Sequence, residues 1–214
     1  MNVLNLYAGI GGNRKRWDEL GVQVTAVEYD RGIAEAYNTL YPKDELFIDD
    51  AHEFLLNHYN EFDFVWASPP CPSHSKMMKA TRHNVVKYPD MKLYEEIIFL
   101  QHFFKGKWVV ENVNPYYKPL IKPSFEIDRH LFWTNFQILP PKRIPSKPSG
   151  FITASNKDSL KRLKNWLDID YPKNLYAGNN HCPGQVYRNC VHPDIGFHIL
   201  SESMREGLFE GFYN

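Results

Sequence analysis

VLNLYAGIGG, residues 3–12, decides the fold: a mostly apolar run breaks at Gly9, Gly11 and Gly12. An apolar run of this length against a glycine turn reads as a strand over 3–8, followed by a helix over 13–20 that Gly21 closes. VTAVE (24–28) repeats the pattern as a second strand, and the helix over 31–40 that follows is stopped by Pro42. Residues 45–48, 62–67 and 107–110 read as further strands, with helices over 51–59 and 90–104 between them. LFWTNFQI (131–138) reads as a sixth strand, and helices are expected at 158–167 and 194–206. Strands alternating with amphipathic helices predict an α/β fold, a mostly parallel, doubly wound, Rossmann-like sheet.

The chain has 214 residues, with 25 basic and 25 acidic side chains, so no global charge advertises a polyanionic partner. The charge is nevertheless segregated. Residues 139–175 hold eight basic residues against three acidic ones, a net of +5 that leaves −5 for the rest. This divides the chain into a core (1–138), a small basic segment (139–183) and a C-terminal return to the core (184–214). The basic segment reads either as a polyanion grip or as a solvated face. Three cysteines, Cys71, Cys182 and Cys190, are too few for a disulfide scaffold and predict reduced thiols, hence a cytoplasmic protein. No apolar run approaches the roughly 20 residues of a membrane span, and no membrane partner is expected.

The chemistry gathers where strands end. A glycine turn between strand and helix lets a ligand approach backbone closely, and Glu28, about 20 residues on, is placed to accept ribose hydroxyls. The third glycine of a dinucleotide fingerprint falls at Arg14, so an adenosine ligand without pyrophosphate is favoured. Asp50 follows the third strand and could take an adenine amino group, with Tyr7 packing on the ring; alternatively, Glu28 and Asp50 are helix caps. After the fourth strand, ASPPCPSHS (67–75) puts Cys71 on a proline-stiffened polar loop at the carboxyl end of the sheet, a location suited to a nucleophile. Glu111 in VVENV (109–113) lies among apolar residues that would raise its pKa and let it hold a proton near neutrality.

In this order and spacing, YAGIGG, VEYD, DDA, PPC with Ser75 beyond it, and ENV resemble the DNA (cytosine-5)-methyltransferases, which use S-adenosylmethionine. The resemblance runs from Asn2 to about Val113, resumes weakly at RHLFWTN (129–135) and returns at RNCV (188–191). It implies the methyltransferase version of the Rossmann-like sheet and a DNA substrate whose target cytosine is flipped into the pocket. Cys71 would attack carbon 6 of the base, Glu111 would protonate ring nitrogen 3, and Arg129 would support the base and a phosphate. Tyr7, Ala8, Gly9, Gly11, Gly12, Glu28, Tyr29, Asp50, Ala51, Pro69, Asn189 and Cys190 would form the cofactor site. Ser75, Asn112, Arg143, Lys161 and Arg162 would hold DNA.

The sequence departs from that family in three places. The first of the family's paired arginines falls at Ile127, and only about fifty residues separate Phe136 from Arg188, where the family inserts its target-recognition region. Short or relaxed sequence specificity is therefore expected. Arg188 stands where the family generally has glycine, and a guanidinium there reads either as a surface salt bridge or as a partner for a carboxylated donor. Competing readings are a noncatalytic DNA-binding or regulatory module, and the same chemistry on RNA or a free nucleotide. A zinc site at His181, Cys182, Cys190 and His192 matches no common finger spacing, and no metal is expected.

Overall fold

The computed structural model describes residues 1–71, 74, 88–143, 146–148, 157–176 and 182–205. Seven strands form one sheet: β1 (Asn2–Leu6), β2 (Gln23–Val27), β3 (Glu45–Phe47), β4 (Phe64–Ala67), β5 (Lys107–Val113), β6 (Phe125–Ile127) and β7 (His130–Thr134). Their order is β3-β2-β1-β4-β5-β7-β6. The first five are parallel, and β7 runs antiparallel to both β5 and β6. The chain winds outward from β1 to β3 and restarts at β4 on the other side of β1, so the carboxyl ends of β1 and β4 flank a topological switch point, where such sheets bind ligands.

Strand periodicity explains the two-sided core. Leu4, Leu6, Val65, Ala67 and Val110 face a cluster built with α2 (Ala51–His58) and α3 (Lys92–Phe103). Val3, Phe64, Trp66 and Val109 face the opposite cluster, built with Trp17 and Ile195, Ile199 and Leu200 of the terminal helix, Pro193–Arg205. Trp17 and Trp66 pack there at a centroid distance of 5.8 Å. Before that terminal helix come α1 (Arg31–Leu40), α4 (Lys157–Leu167) and α5 (Gly184–Arg188), which makes it α6. Asp30 and Asp50 cap α1 and α2 by accepting the first free backbone N–H groups, so each helix starts where its preceding strand turns toward the cleft.

Several boundaries differ from the sequence reading, each for a local reason. The helix expected at 13–20 is only a 3-10 turn, Trp17–Leu20, closed as expected by Gly21 in the left-handed region at φ 64°. Upstream, Arg14 is drawn inside to pair with Asp44, and the Asn13 amide donates to Asn5. These side-chain commitments leave too few residues for a helical nucleus. The strand expected at 131–138 ends at Thr134, because Asn135 turns to accept from the Trp108 N–H at 3.0 Å and donate to the Gly106 carbonyl at 2.9 Å. β6 and α5 were not expected; β6 is three residues long and joins β7 through Asp128 at φ 59°, without a glycine to announce the turn. The basic helix expected at 158–167 is α4; its Leu163 and Leu167 pack with Ile10 of the glycine turn, Ile33 of α1 and Tyr187 of α5. The terminal helix is described to Arg205, and Glu206 lies outside the described residues. Among the described residues, no helix is long and apolar enough to cross a membrane.

Candidate active site

A cavity of about 600 Å³ opens at the switch point, and its walls come from the carboxyl ends of β1, β2, β4 and β5 and from the segment after α5. Its two ends differ in chemistry.

At one end lies the glycine turn. Gly9 takes φ 56°, and a side chain placed there would meet nothing within 4 Å, which leaves an open cradle against the cavity. Its N–H donates to Oε2 of Glu28 at 2.9 Å, while Oε1 accepts from the Asp30 N–H at 2.9 Å. Burial raises the Glu28 pKa, and these backbone N–H groups oppose the rise. Gly12 is also needed as glycine: a Cβ would lie 2.5 Å from the Cβ of Cys190, so the turn and the chain after α5 touch. Gly11 is set back from the cavity, its carbonyl accepting from the Tyr41 hydroxyl at 2.8 Å. It shapes the turn rather than the lining.

Ala8, Tyr29, Asp50, Ala51, Pro69, Asn189 and Cys190 also line the cavity, Tyr29 with 78% of its surface exposed. Asp50 does cap α2, through Oδ1, and its Oδ2 lies 3.9 Å from Lys92 Nζ. Glu28 caps no helix. Tyr7 lines the cavity at φ 55°, and its hydroxyl donates to Glu96, a fully buried carboxyl on α3 that also meets His52 Nδ1 at 3.2 Å. Glu96 and His52 carry no sequence motif; a carboxylate inside the apolar run of α3 was the one available signal.

At the other end are Cys71, Glu111 and Arg129. Glu111 and Asn112 end the buried part of β5, and Asn112 fixes the cysteine loop: its amide donates to the Pro69 carbonyl at 2.9 Å. The loop is closed further by the His74 N–H, which donates to the Cys71 carbonyl at 3.0 Å. Burial, with Ser68 and Arg129 opposing it, pushes Glu111 up to about 7. Burial and the neighbouring Glu111 raise the Cys71 thiol, and Arg129 draws it down. The Arg129 guanidinium donates to the Arg188 carbonyl. Sequence reasoning missed His130, which lines the same end with Nε2 3.6 Å from Glu111 Oε1.

The expected DNA contacts divide. Asn112 lines the cavity but is only 2% exposed, with its amide committed to the cysteine loop. Arg143, Lys161 and Arg162 are exposed and lie outside this cavity; Arg143 lines a shallower hollow of about 520 Å³ with Lys15 and Arg16. Ser75 lies outside the described residues. The Arg188 guanidinium, the rationale for a carboxylated donor, turns from the cavity to Gln185 Oε1 at 2.9 Å and Cys182 Sγ at 3.4 Å. The zinc reading does not assemble among the described residues: Cys190 Sγ faces the Val186 carbonyl, His192 Nε2 meets the Trp166 carbonyl, and His181 lies outside them.

This strand order, with a ligand cleft at the β1/β4 switch point, defines a Rossmann-like methyltransferase fold. The C-5 cytosine-specific DNA methylase family model matches residues 1–120, and the chain belongs to that family. Among solved structures, a mutant of DNMT2 from Spodoptera frugiperda is 23% identical over 52% of this chain and 35% of its own, with a TM-score of 0.40. A putative DNA modification methyltransferase from an Escherichia coli prophage is 19% identical over 55% of this chain and 33% of its own, with a TM-score of 0.38. An S-adenosylmethionine-dependent methyltransferase from Agrobacterium tumefaciens is 12% identical over 55% of this chain and 40% of its own, with a TM-score of 0.40. The chain thus matches about a third of the length of the first two. No curated protein matches it.

Proposed function

We propose that the chain transfers a methyl group from S-adenosylmethionine to carbon 5 of a cytosine in DNA, through a covalent Cys71 adduct. The observation that carries this reading is that Cys71 and Glu111, from the ends of adjacent parallel strands, share one cavity with the glycine turn and Glu28. Membership of the cytosine-specific DNA methylase family supports it.

The cofactor end fits an adenosyl group. The Gly9 cradle admits it closely, Glu28 keeps lone pairs for ribose hydroxyls beyond those its two backbone donors occupy, and Asp50 keeps Oδ2 for an amino group. When bound, S-adenosylmethionine supplies an electrophilic methyl group on a sulfonium. Tyr7, Ala8, Gly12, Tyr29, Ala51, Pro69, Asn189 and Cys190 complete the wall around it. Gly11 acts one layer back, through Tyr41.

Burial keeps Cys71 a thiol in the resting site, so its proton must pass to solvent as sulfur attacks carbon 6 of a flipped cytosine. Glu111, poised near neutrality, gives its proton to ring nitrogen 3 and so accepts the charge that attack would otherwise build on the ring. Arg129 stabilises negative charge beside both groups. Carbon 5 takes the methyl group and loses its proton to solvent; the ring then expels the Cys71 sulfur and nitrogen 3 returns its proton to Glu111. Exposed Arg143, Lys161 and Arg162 grip phosphates, which leaves little protein to read bases and gives a short recognition sequence.

The test is incubation with S-adenosylmethionine and duplex DNA, single-stranded DNA, RNA or dCMP, followed by nucleoside mass spectrometry with a Cys71→Ala control. Methylated cytosine from DNA alone, abolished in Cys71→Ala, is the expected result. Product from RNA or dCMP alone would reassign the substrate, and cofactor binding without product from any of them would leave a binding module.

A further inference from the structure

His130 opens β7, where its cross-strand partner is Val113, while Glu111 is paired with Phe132. The two residues are therefore diagonal neighbours on one face of the sheet, and their side chains meet with Nε2 3.6 Å from Oε1, at 5% and 7% exposure. Among the described residues, the Glu111 carboxyl faces Ser68 from the end of β4, Cys71 from the loop beyond it, Arg129 from the β6–β7 turn, Cys190 from the segment after α5 and the imidazole from β7. The imidazole faces Glu111, Arg129 and Lys147, the last paired with Asp128 at 2.6 Å.

Burial, with Arg129 and Lys147 adding to it, holds His130 well below its ordinary pKa and keeps the ring neutral. A neutral imidazole carries one N–H, and its placement can be argued. Nε2 faces a carboxyl oxygen, whereas Nδ1 is buried without a hydrogen-bond partner among the described residues. A proton on Nε2 points an N–H at the carboxyl across 3.6 Å, longer than a hydrogen bond, and leaves only an acceptor unmatched; the other tautomer buries an unmatched donor.

We propose that His130 is a positioning residue for Glu111, its neutral Nε2–H facing the carboxyl across 3.6 Å and closing to a hydrogen bond that steers the acid toward a bound substrate. The inference rests on the role proposed above for Glu111. A permanent cation at this position would favour the ionised carboxylate, whereas a neutral donor orients the group and leaves it able to carry the proton it must deliver.

The experiment compares His130→Phe, which keeps a ring but no donor, with His130→Gln, which restores an N–H. Glu111 titration is followed by isotope-edited infrared spectroscopy, assigned by subtraction of Glu111→Gln, alongside the pH profile of methyl transfer and S-adenosylmethionine affinity. In His130→Phe the Glu111 midpoint should rise above about 7 by up to roughly one unit, because the ionised form loses the N–H that faces it. The alkaline limb of the rate profile should follow it, and kcat should fall roughly 10- to 100-fold from misplacement of the acid. His130→Gln should recover both, with cofactor affinity unchanged throughout. His130→Asn, whose amide is too short to reach, replaces the Phe variant if that chain does not fold. An unmoved Glu111 titration in a folded donor-less variant, or failure of Gln to recover it, overturns the proposal. A shifted titration in a protein that methylates nothing would overturn the proposed function and leave the pairing intact.

Discussion

Glu28 and Glu111 stand at or near the carboxyl ends of two strands of one sheet and line the same cavity, yet their surroundings prepare them for different work. Glu28 is half-buried and accepts two backbone N–H groups, which hold it as a fixed acceptor for hydroxyl donors. Glu111 is buried, with one serine hydroxyl and a guanidinium to offset desolvation and the His130 ring 3.6 Å away, and sits up at about 7. The lesson is general: backbone donors make a carboxylate a binding group, and their scarcity in a dry site makes it an acid.

The largest effect should come from removing the nucleophile at the acidic end. Cys71→Ala should lower methyl transfer at least ~10³-fold while S-adenosylmethionine binding, read by calorimetry, stays within about threefold. Glu111→Gln should cost about 10²- to 10⁴-fold in rate. It should also change stability in the opposite sense. With Glu111 raised to about 7 in the folded chain, its contribution is fully present below the unfolded carboxyl value of 4.5 and is lost as pH rises through 7. The Gln variant escapes that loss, so by denaturant titration it should exceed the parent by up to about 3 kcal/mol at pH 8.5 and not at pH 4.

At the other end, Glu28→Ala should weaken cofactor binding about 10- to 100-fold, since it removes a charged acceptor and frees the Gly9 N–H, while kcat at saturation changes less. If rate and affinity fell together, the division of labour between the two ends would fail. Gly12→Ala should destabilise the chain by about 1–3 kcal/mol in denaturant titration, because its Cβ collides with Cys190. The smallest effects belong to the exposed Lys161 and Arg162: alanine at either should reduce the slope of log K against log salt for DNA by about 1 and leave the chemistry unchanged.

The same contrast explains what could be read in the sequence. β1, β2, β4 and β5 announce themselves because a strand covered on both faces is apolar along most of its length, and each is punctuated by glycine, proline or a carboxylate where it leaves the sheet. Cys71 and Glu111 were legible for that reason. Partnerships across the sheet were not. Arg14 looks like a surface residue until Asp44, thirty positions on, draws it inside to 2% exposure. Asn112 follows Glu111 in a motif that suggests a polar contact, and only the fold shows that its amide reaches Pro69. His130 joins the site through the β5–β7 register, which depends on a two-residue turn at Asp128 that no glycine marks.

The central claim is tested most directly by intact mass spectrometry of the protein with S-adenosylmethionine and a duplex carrying 5-fluorocytosine, in which the proton needed for release is replaced by fluorine. A stable one-to-one protein–DNA species carrying one added methyl group, mapped to Cys71 by peptide sequencing and absent from Cys71→Ala, is the predicted result. An adduct that survives Cys71→Ala, or none at all from protein with bound cofactor and DNA, would contradict the account.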